Sequence, residues 1–506
     1  MNPVFSEFLP AIAVPLAGSA ALSFLVELLL MPAPGVFGRP WRAVAAHLGL
    51  WVLAFCVYLL ATQRPYFGAL LQLAGLLLLV LTSNAKFRAL REPFVFADFE
   101  YFTDAMRHPR LFLPYFGIGR AIAGFAAFFA AIYLGVAFEP SLPARTGWAP
   151  FLAGLALLAA AGAVLLWAGT PRTLPSKFDP SADLKELGLP ASLWQYYLAE
   201  RGRHPLPDSR FAAPARASGR LPHIVAVQSE SFFDARRLHA GVNPGVLGQF
   251  DAVRRSAVLH GCLHVPCWGG NTSRTEFSFL TGLGPGQLGV HRFNPNRRLA
   301  QQGLPTVASF LKRIGYRTIC VHPYPASFYS RDTAYPPLGF DRFIDIEAFR
   351  GAERYGPYIS DKAVTEKARA VLEESDQPAF LFLITMENHG PLHLERVAPG
   401  DTERLYATPP PDGYDDLTIY LRHLANADRM AHALREHLER SAHDAWLCWY
   451  GDHVPILQRV YDATGFSDGR TDYFIWGKGR RPEAGSPRDV RAEELGALLL
   501  ERAGLL

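Results

Sequence analysis

Up to about residue 170 the apolar positions run together in long blocks, and beyond about residue 220 they fall into short runs separated by polar stretches of helical length. A helix needs roughly 20 mainly apolar residues to cross a bilayer's hydrocarbon core. Five stretches have that character: Leu9–Met31, Val44–Ala61, Tyr66–Leu81, Ala121–Phe138 and Ala149–Ala168. Tyr66–Leu81 is short, and its flanks can lengthen it. The opening stretch lacks a basic lead and further spans follow it, so a retained anchor is expected rather than a cleaved secretion signal. From residue 220 onward, short apolar runs alternating with longer helix-compatible stretches predict a soluble α/β unit. The segment 171–219 is rich in proline and mixed charge, with one amphipathic piece at Leu184–Leu198. The expected organisation is a five-span transmembrane domain at 1–170, a juxtamembrane connector at 171–219 and an α/β domain at 220–506.

Composition sharpens this picture only in places. The chain has 506 residues, 50% hydrophobic and 19% charged, with a formal net charge of +4. So small a charge, with no basic stripe interleaved with aromatics in the soluble part, argues against nucleic acid as a partner. Glu27 and His47 lie within the first two apolar stretches, where an ionisable group is costly unless it faces other helices or water. A structural role inside the bundle is expected for both rather than proton handling. Of the five cysteines, Cys262 and Cys267 bracket a short loop, and either a disulfide or two free buried thiols fits that spacing. No second ligand pair lies near enough to make them a zinc site.

Candidate chemistry gathers where the apolar runs of the second region end. The run His223–Ser229 ends in Glu230, and Ala445–Gly451 ends in Asp452 and His453. In open α/β sheets ligands collect beyond the carboxyl ends of the strands, so these are positions where site residues belong. Taken singly, Glu230 also reads as part of a helix start among Ser229, Ser231 and Asp234, and Asp452-His453 as a turn. Between them lies Gly269-Gly270-Asn271-Thr272-Ser273-Arg274-Thr275-Glu276, a glycine-flanked hydroxyl. Threonine is a weak nucleophile until a bound cation lowers the pKa of its hydroxyl, and a mixed oxygen and imidazole set suits Mg²⁺ or Mn²⁺. On hydroxyl chemistry alone Ser273 and Thr275 are alternatives. Two more runs deliver polar groups: Phe380–Ile384 leads to His389, and Thr318–Val321 leads to His322 and then Tyr329 and Arg331. An arginine can grip a phosphate, an aromatic can cover a glycerol face and a histidine can serve a leaving oxygen. Alternatively, Arg331 is half of an ion pair with Asp332 or Asp341.

The order of these motifs resembles the lipoteichoic acid synthase and phosphoglycerol transferase family, membrane relatives of sulfatases and alkaline phosphatases. Glu230 with Ser231-Phe232 behind it resembles that family's opening metal ligand, Gly270–Phe277 its nucleophile loop, and Gly451-Asp452-His453 its closing ligand pair. Phe328–Asp332 resembles a head-group clamp, with Tyr329 where tryptophan often stands, and Asn388-His389 resembles the histidine beside the phosphate. The resemblance implies an α-helical transmembrane bundle of five spans followed by an α/β sulfatase-like catalytic domain of the alkaline phosphatase type. It implies one divalent metal, Mn²⁺ or Mg²⁺, held by Glu230, Thr272, Asp452 and His453, with Thr272 as nucleophile and His389 as a second catalytic group. Arg331, Tyr329 and His322 would bind substrate. Implied partners are a phospholipid donor such as phosphatidylglycerol and a glycan or polymer acceptor. True sulfatases are disfavoured, because neither Cys262-Leu263-His264 nor Cys267-Trp268-Gly269 supplies the modified-nucleophile pattern. Rival readings are phosphoethanolamine transfer, phosphodiester or sulfate ester hydrolysis, and a non-catalytic membrane protein that binds anionic polymers.

Topology is where two signals conflict. The loop 84–120 carries Lys86, Arg88, Arg91, Arg107, Arg110 and Arg120, whereas the loops after the second and fourth spans carry only Arg64 and Arg145. Taken literally, the bias towards positive charge on the cytoplasmic side places that loop and the α/β domain inside the cell. The resemblance implies the opposite: a multi-pass protein of the bacterial plasma (inner) membrane with its catalytic domain on the extracytoplasmic face. The aromatics Phe94, Phe96, Phe99, Tyr101, Phe102 and Phe112 in the same loop fit a segment lying in the interface, its charges held against anionic head groups.

Overall fold

The computed structural model of the chain describes residues 7–35, 38–100, 135–170, 178–202, 208–213, 220–484 and 486–506, with residues 126, 129, 130, 132, 133 and 205 as isolated positions. Two compact units emerge, residues 1–204 and 205–506.

In the N-terminal unit four helices are long and apolar enough to cross a membrane: α1 (Leu9–Glu27), α2 (Trp41–Thr62), α3 (Pro65–Leu90) and α4 (Trp148–Gly169). The expected third span is longer than its apolar run, because Thr82–Leu90 stays helical beyond it. The expected span Ala121–Phe138 falls largely outside the described residues, as do Arg107, Arg110 and Arg120 of the basic loop. Helices α2 and α4 pack backbone to backbone: a Cβ on Gly169 would lie 2.3 Å from the Ala46 amide, and one on Gly49 would lie 2.5 Å from the Leu166 amide. Such small-residue contacts are how helices associate where lipid removes the hydrophobic driving force. Two shorter helices follow, α5 (Pro180–Leu187) and α6 (Leu189–Arg201).

Glu27 and His47, on α1 and α2, are tied into this unit. Glu27 is fully buried and accepts from Arg39 Nη1 at 2.6 Å and from the Leu189 amide at 2.6 Å. His47 Nδ1 lies 3.4 Å from Glu27 Oε2, and its Nε2 is 2.8 Å from Ser23 Oγ. A buried carboxylate is tolerated when cationic and N–H partners surround it, and these partners join α1, α2 and the start of α6.

The second unit is built on an eight-stranded mixed sheet. Its strands are β1 (His223–Ser229), β2 (Leu259–His264), β3 (Arg317–Val321), β4 (Arg342–Ile344), β7 (Ala379–Ile384), β8 (Ala445–Gly451), β9 (Thr471–Gly477) and β10 (Val490–Arg491), while β5 (Arg354–Tyr355) and β6 (Tyr358–Ile359) form a separate hairpin. The order is β10-β2-β9-β8-β1-β7-β3-β4, with β8, β1, β7, β3 and β4 parallel and β9 antiparallel to both its neighbours. Every residue of β1 is buried. Val225 and Val227 face one core and Ile224 and Ala226 the other, which is why the run reads as continuously apolar rather than alternating. Helices α7 (Thr272–Thr281), α8 (Asp361–Glu373), α9 (Asp415–Arg440) and α10 (Ala492–Arg502) pack on the sheet's two cores. Leu417, Leu421 and Leu424 of α9 and Val364 and Ala368 of α8 fill the first core, while Phe277 and Leu280 of α7 and Leu495 and Leu499 of α10 fill the second. Phe211 of the expected connector is fully buried in that second core.

Candidate metal and nucleophile centre

Strand register accounts for the convergence of the acidic residues. Ser229 pairs with Gly451 in the parallel β1–β8 ladder, so the next residues, Glu230 and Asp452, leave the sheet side by side. Gly451 is required there, because a Cβ at that position would fall 1.8 Å from the Phe232 carbonyl oxygen. Beyond the strand Ser231 takes φ 52, a left-handed conformation that is costly for a side chain other than glycine and recurs at functional sites. In this bend the Ser231 amide donates to Asp452 Oδ1 at 2.8 Å and its hydroxyl donates to Glu230 Oε1 at 2.8 Å. From the neighbouring β7, Thr385 Oγ1 accepts from the Glu230 amide at 3.0 Å.

Thr272 opens α7 after Gly269 and Asn271, whose φ values are 67 and 62. Its Oγ1 lies 3.5 Å from both Glu230 Oε2 and His453 Nε2. Thr275, one turn further, donates to the Asp452 carbonyl at 2.8 Å and anchors the helix to the end of β8. His453 Nε2 is in turn 3.5 Å from Glu230 Oε1 and 3.4 Å from Asp452 Oδ2. Thus Glu230, Thr272, Asp452 and His453, spread over 224 positions of sequence, meet at one buried point.

Charge at that point is unbalanced. Burial and the adjacent Glu230 carboxylate raise the Asp452 carboxyl above its usual range. Burial alone would lower His453, but the Asp452 and Glu230 carboxylates hold its imidazolium above the ordinary value. Asp452 Oδ2 is buried and, among the described residues, accepts no well-formed hydrogen bond. With its Nδ1 donating to the Val454 carbonyl at 3.0 Å, His453 turns Nε2 towards the other three groups, where it offers a lone pair once a cation displaces its proton. Two carboxylates, a lone-pair nitrogen and a hydroxyl with an orphaned carboxylate oxygen form a donor set that fits a divalent cation.

The other expected site residues form a second network. Arg331 is 1% exposed and follows Tyr329 and Ser330, both at positive φ. It pairs with neither Asp332 nor Asp341: its Nη2 donates to Glu276 Oε2 at 2.8 Å and its Nε contacts both Glu276 oxygens at 3.2 Å. His322 donates from Nδ1 to the Ile384 carbonyl at 3.1 Å and accepts from Arg331 Nη1 at 3.2 Å. Burial and then the Arg331 charge push the His322 pKa well below the usual value, so it is neutral, as that bonding pattern requires. The Tyr329 ring lies 5.2 Å from the guanidinium carbon. His389 is half-buried on the loop after β7, its Nδ1 2.6 Å from the Gly390 carbonyl oxygen and 3.2 Å from the Tyr358 hydroxyl. Cys262 and Cys267 are free thiols, and Cys267 Sγ instead lies 3.7 Å from the Asp452 carbonyl oxygen.

Glu276 and Thr385 are the participants that the sequence reading left without a role. Glu276 stands four residues after Thr272, hence on the same side of α7, and Thr385 is the residue immediately after β7. Both positions were visible in the pattern, but their partners were not.

Residues 222–505 match the Sulfatase family model, so the chain belongs to the sulfatase family, as a lipoteichoic acid synthase-like member of that superfamily. The superfamily comprises phosphotransferases and related enzymes that bind a divalent metal. Among relatives, the capsular polysaccharide biosynthesis protein RkpI of Rhizobium meliloti is 31% identical over 481 residues, covering 90% of this chain and 86% of the relative. Lipoteichoic acid synthase 2 of Bacillus subtilis is 26% identical over 220 residues, covering 40% of this chain and 31% of that protein. A solved structure of the Streptococcus pyogenes phosphoglycerol transferase GacH is similar over 55% of this chain and 74% of its own, at 25% identity and a TM-score of 0.47.

Proposed function

We propose that this protein is a membrane-bound, metal-dependent transferase that moves a phosphoglycerol-type head group from a phospholipid such as phosphatidylglycerol to an acceptor hydroxyl on a glycan or polymer. The observation that carries this reading is the placement of Thr272 Oγ1 within 3.5 Å of two members of a buried, charge-deficient set. Glu230, Thr272, Asp452 and His453 would hold the cation, which supplies positive charge that acidifies the threonine hydroxyl and neutralises phosphoryl oxygens.

In the first step Thr272 Oγ attacks phosphorus, the bond to the diacylglycerol oxygen breaks, and diacylglycerol leaves after taking up a proton. Thr272 now carries the head group as a phosphodiester. An acceptor hydroxyl then attacks the same phosphorus, loses its proton and releases the threonine. His389 fits the proton transfers, since Nδ1–H donation to the Gly390 carbonyl leaves Nε2 as the exchanging atom. Arg331 has five N–H groups, and the bonds to Glu276 and His322 occupy three, so two remain for a phosphoryl oxygen. Glu276 and His322 hold that guanidinium in place, and Tyr329 covers its face. The helices of the N-terminal unit keep the enzyme at the surface where a lipid donor diffuses, with the catalytic unit on the extracytoplasmic face.

The test is turnover of head-group-labelled phosphatidylglycerol and phosphatidylethanolamine by the full chain with Mn²⁺, followed in lipid and water-soluble fractions. Labelled diacylglycerol-free product from phosphatidylglycerol, with transient label on the peptide containing Thr272, is expected. Turnover confined to phosphatidylethanolamine, or label on another residue, contradicts the proposal.

A further inference from the structure

Within the N-terminal unit a groove of about 570 Å³ opens between α2, α3 and the juxtamembrane helix α6. That volume lies within the range of about 300–1,000 Å³ typical of small-ligand sites. Its walls include Leu50 and Ala54 of α2, Gln72 and Leu76 of α3, and Trp194 and Tyr197 of α6. Leu50 and Ala54, and likewise Gln72 and Leu76, stand one turn apart, so the groove runs along the two helices rather than across them.

The groove is built to stay open. Gln72 donates to the Trp51 carbonyl at 2.8 Å and bridges α3 to α2, while its Oε1, on a side chain only 4% exposed, accepts from nothing among the described residues. The α6 wall is fixed at two points: the Leu189 amide bonds to Glu27, and the Trp194 indole N–H donates to Thr170 Oγ1 at 3.0 Å. At the far end of that wall the exposed Arg201 guanidinium lies 4.8 Å from the Tyr197 ring. An apolar cleft between helices of membrane-spanning character, with interfacial aromatics and a cation at one end, has the polarity of an anionic lipid laid lengthwise.

We propose that this groove is a lipid site that seats one acyl chain of an anionic glycerophospholipid between α2 and α3, with the phosphate at the Arg201 end. It extends the lipid-donor reading above, and it is tested apart from that reading because occupancy can be measured without turnover.

The experiment uses the full chain in nanodiscs containing a diacyl phosphatidylglycerol with a photoactivatable diazirine in one chain, and separately the phosphatidylcholine of the same chains. Labelled residues are mapped by mass spectrometry. Labelling is expected on the facing sides of α2, α3 and α6, stronger for phosphatidylglycerol than for phosphatidylcholine. Ala54→Trp should cut it about tenfold, the weight of roughly two methylene groups denied a buried place. Leu193→Trp fills the groove from α6 and repeats the test if Ala54→Trp misfolds. Arg201→Gln should bring phosphatidylglycerol down to the phosphatidylcholine level. Label spread evenly over the outer faces of α1 to α4 and unmoved by either tryptophan, or equal labelling by the two lipids, overturns the proposal. Groove labelling in a protein that transfers no head group would remove the proposed function alone, and transfer by a protein whose groove does not label would remove only the lipid site.

Discussion

The buried clusters around Glu27 and around Asp452 each bring carboxylate, imidazole and hydroxyl together, and they differ in charge balance. Around Glu27 a single carboxylate meets Arg39, His47 and the Leu189 amide, with Ser23 behind the histidine. Around Asp452 a second carboxylate, Glu230, takes the place of the arginine, and one oxygen of Asp452 accepts no well-formed hydrogen bond among the described residues. In the Glu27 cluster the Arg39 guanidinium balances the one carboxylate, and the bonds join α1, α2 and α6. The cluster at the end of β1 and β8 sets two carboxylates against one imidazole, and that excess of negative charge suits it to a cation. Residue types alone do not distinguish a tie from a site; the balance of partners does.

That contrast can be broken most sharply at the nucleophile. Thr272→Ala is expected to reduce head-group transfer by about a thousandfold or more with the fold intact, read by turnover alongside circular dichroism. Full activity in that variant would remove the covalent step.

Neutralising one carboxylate in each cluster should give opposite results. Glu27→Gln leaves the buried Arg39 without its anion and should cost about 3–5 kcal/mol, seen as loss of thermal stability in detergent. Glu230→Gln relieves repulsion with Asp452, so in metal-free protein it should be neutral or stabilising while transfer is lost. Equal destabilisation by the two changes would mean that the two clusters have the same charge balance.

A cation should stabilise only the deficient cluster. Mn²⁺ at a hundred times its dissociation constant is expected to add about 2.7 kcal/mol to the stability of the catalytic unit. Differential scanning calorimetry of the parent and of Asp452→Asn checks this, and the variant should not respond.

A third buried group offers a pH probe. His423 on α9 lies 3.2 Å from Glu387 and 3.0 Å from Glu395. Burial opposes its charge, but those carboxylates raise its pKa from 6.5 to about 9. A folded-state pKa above the unfolded one stabilises fully below the unfolded value and loses that contribution as pH rises through the folded one. About 3 kcal/mol should therefore fade between pH 6.5 and about 9. Urea denaturation across that window should show the slope in the parent and a flatter one in His423→Gln.

How far the sequence could be read depended on whether a feature was local. Glu230 and Asp452-His453 were legible because each follows a buried strand at its carboxyl end, and the parallel register of β1 and β8 then places them side by side. The partner of Arg331 was not legible: nearby Asp332 and Asp341 offered themselves, whereas Glu276 lies 55 residues away on another helix. Asp341 instead accepts from Thr318 and Lys312. Hydropathy located α3 but not its length, since Ser83, Asn84 and Lys86 continue the helix past the apolar run and bond within the unit. The spacing of Cys262 and Cys267 left a disulfide open, and in the fold Cys262 lies beside Arg237 while Cys267 lies beside Thr275.

The most direct measurement is a Mn²⁺ titration of the metal-stripped full chain followed by electron paramagnetic resonance. One ion bound per chain, with affinity lost in Asp452→Asn and unchanged in a folded Glu27→Gln protein, is the result expected. No stoichiometric binding, or binding that survives Asp452→Asn at full affinity, would contradict it.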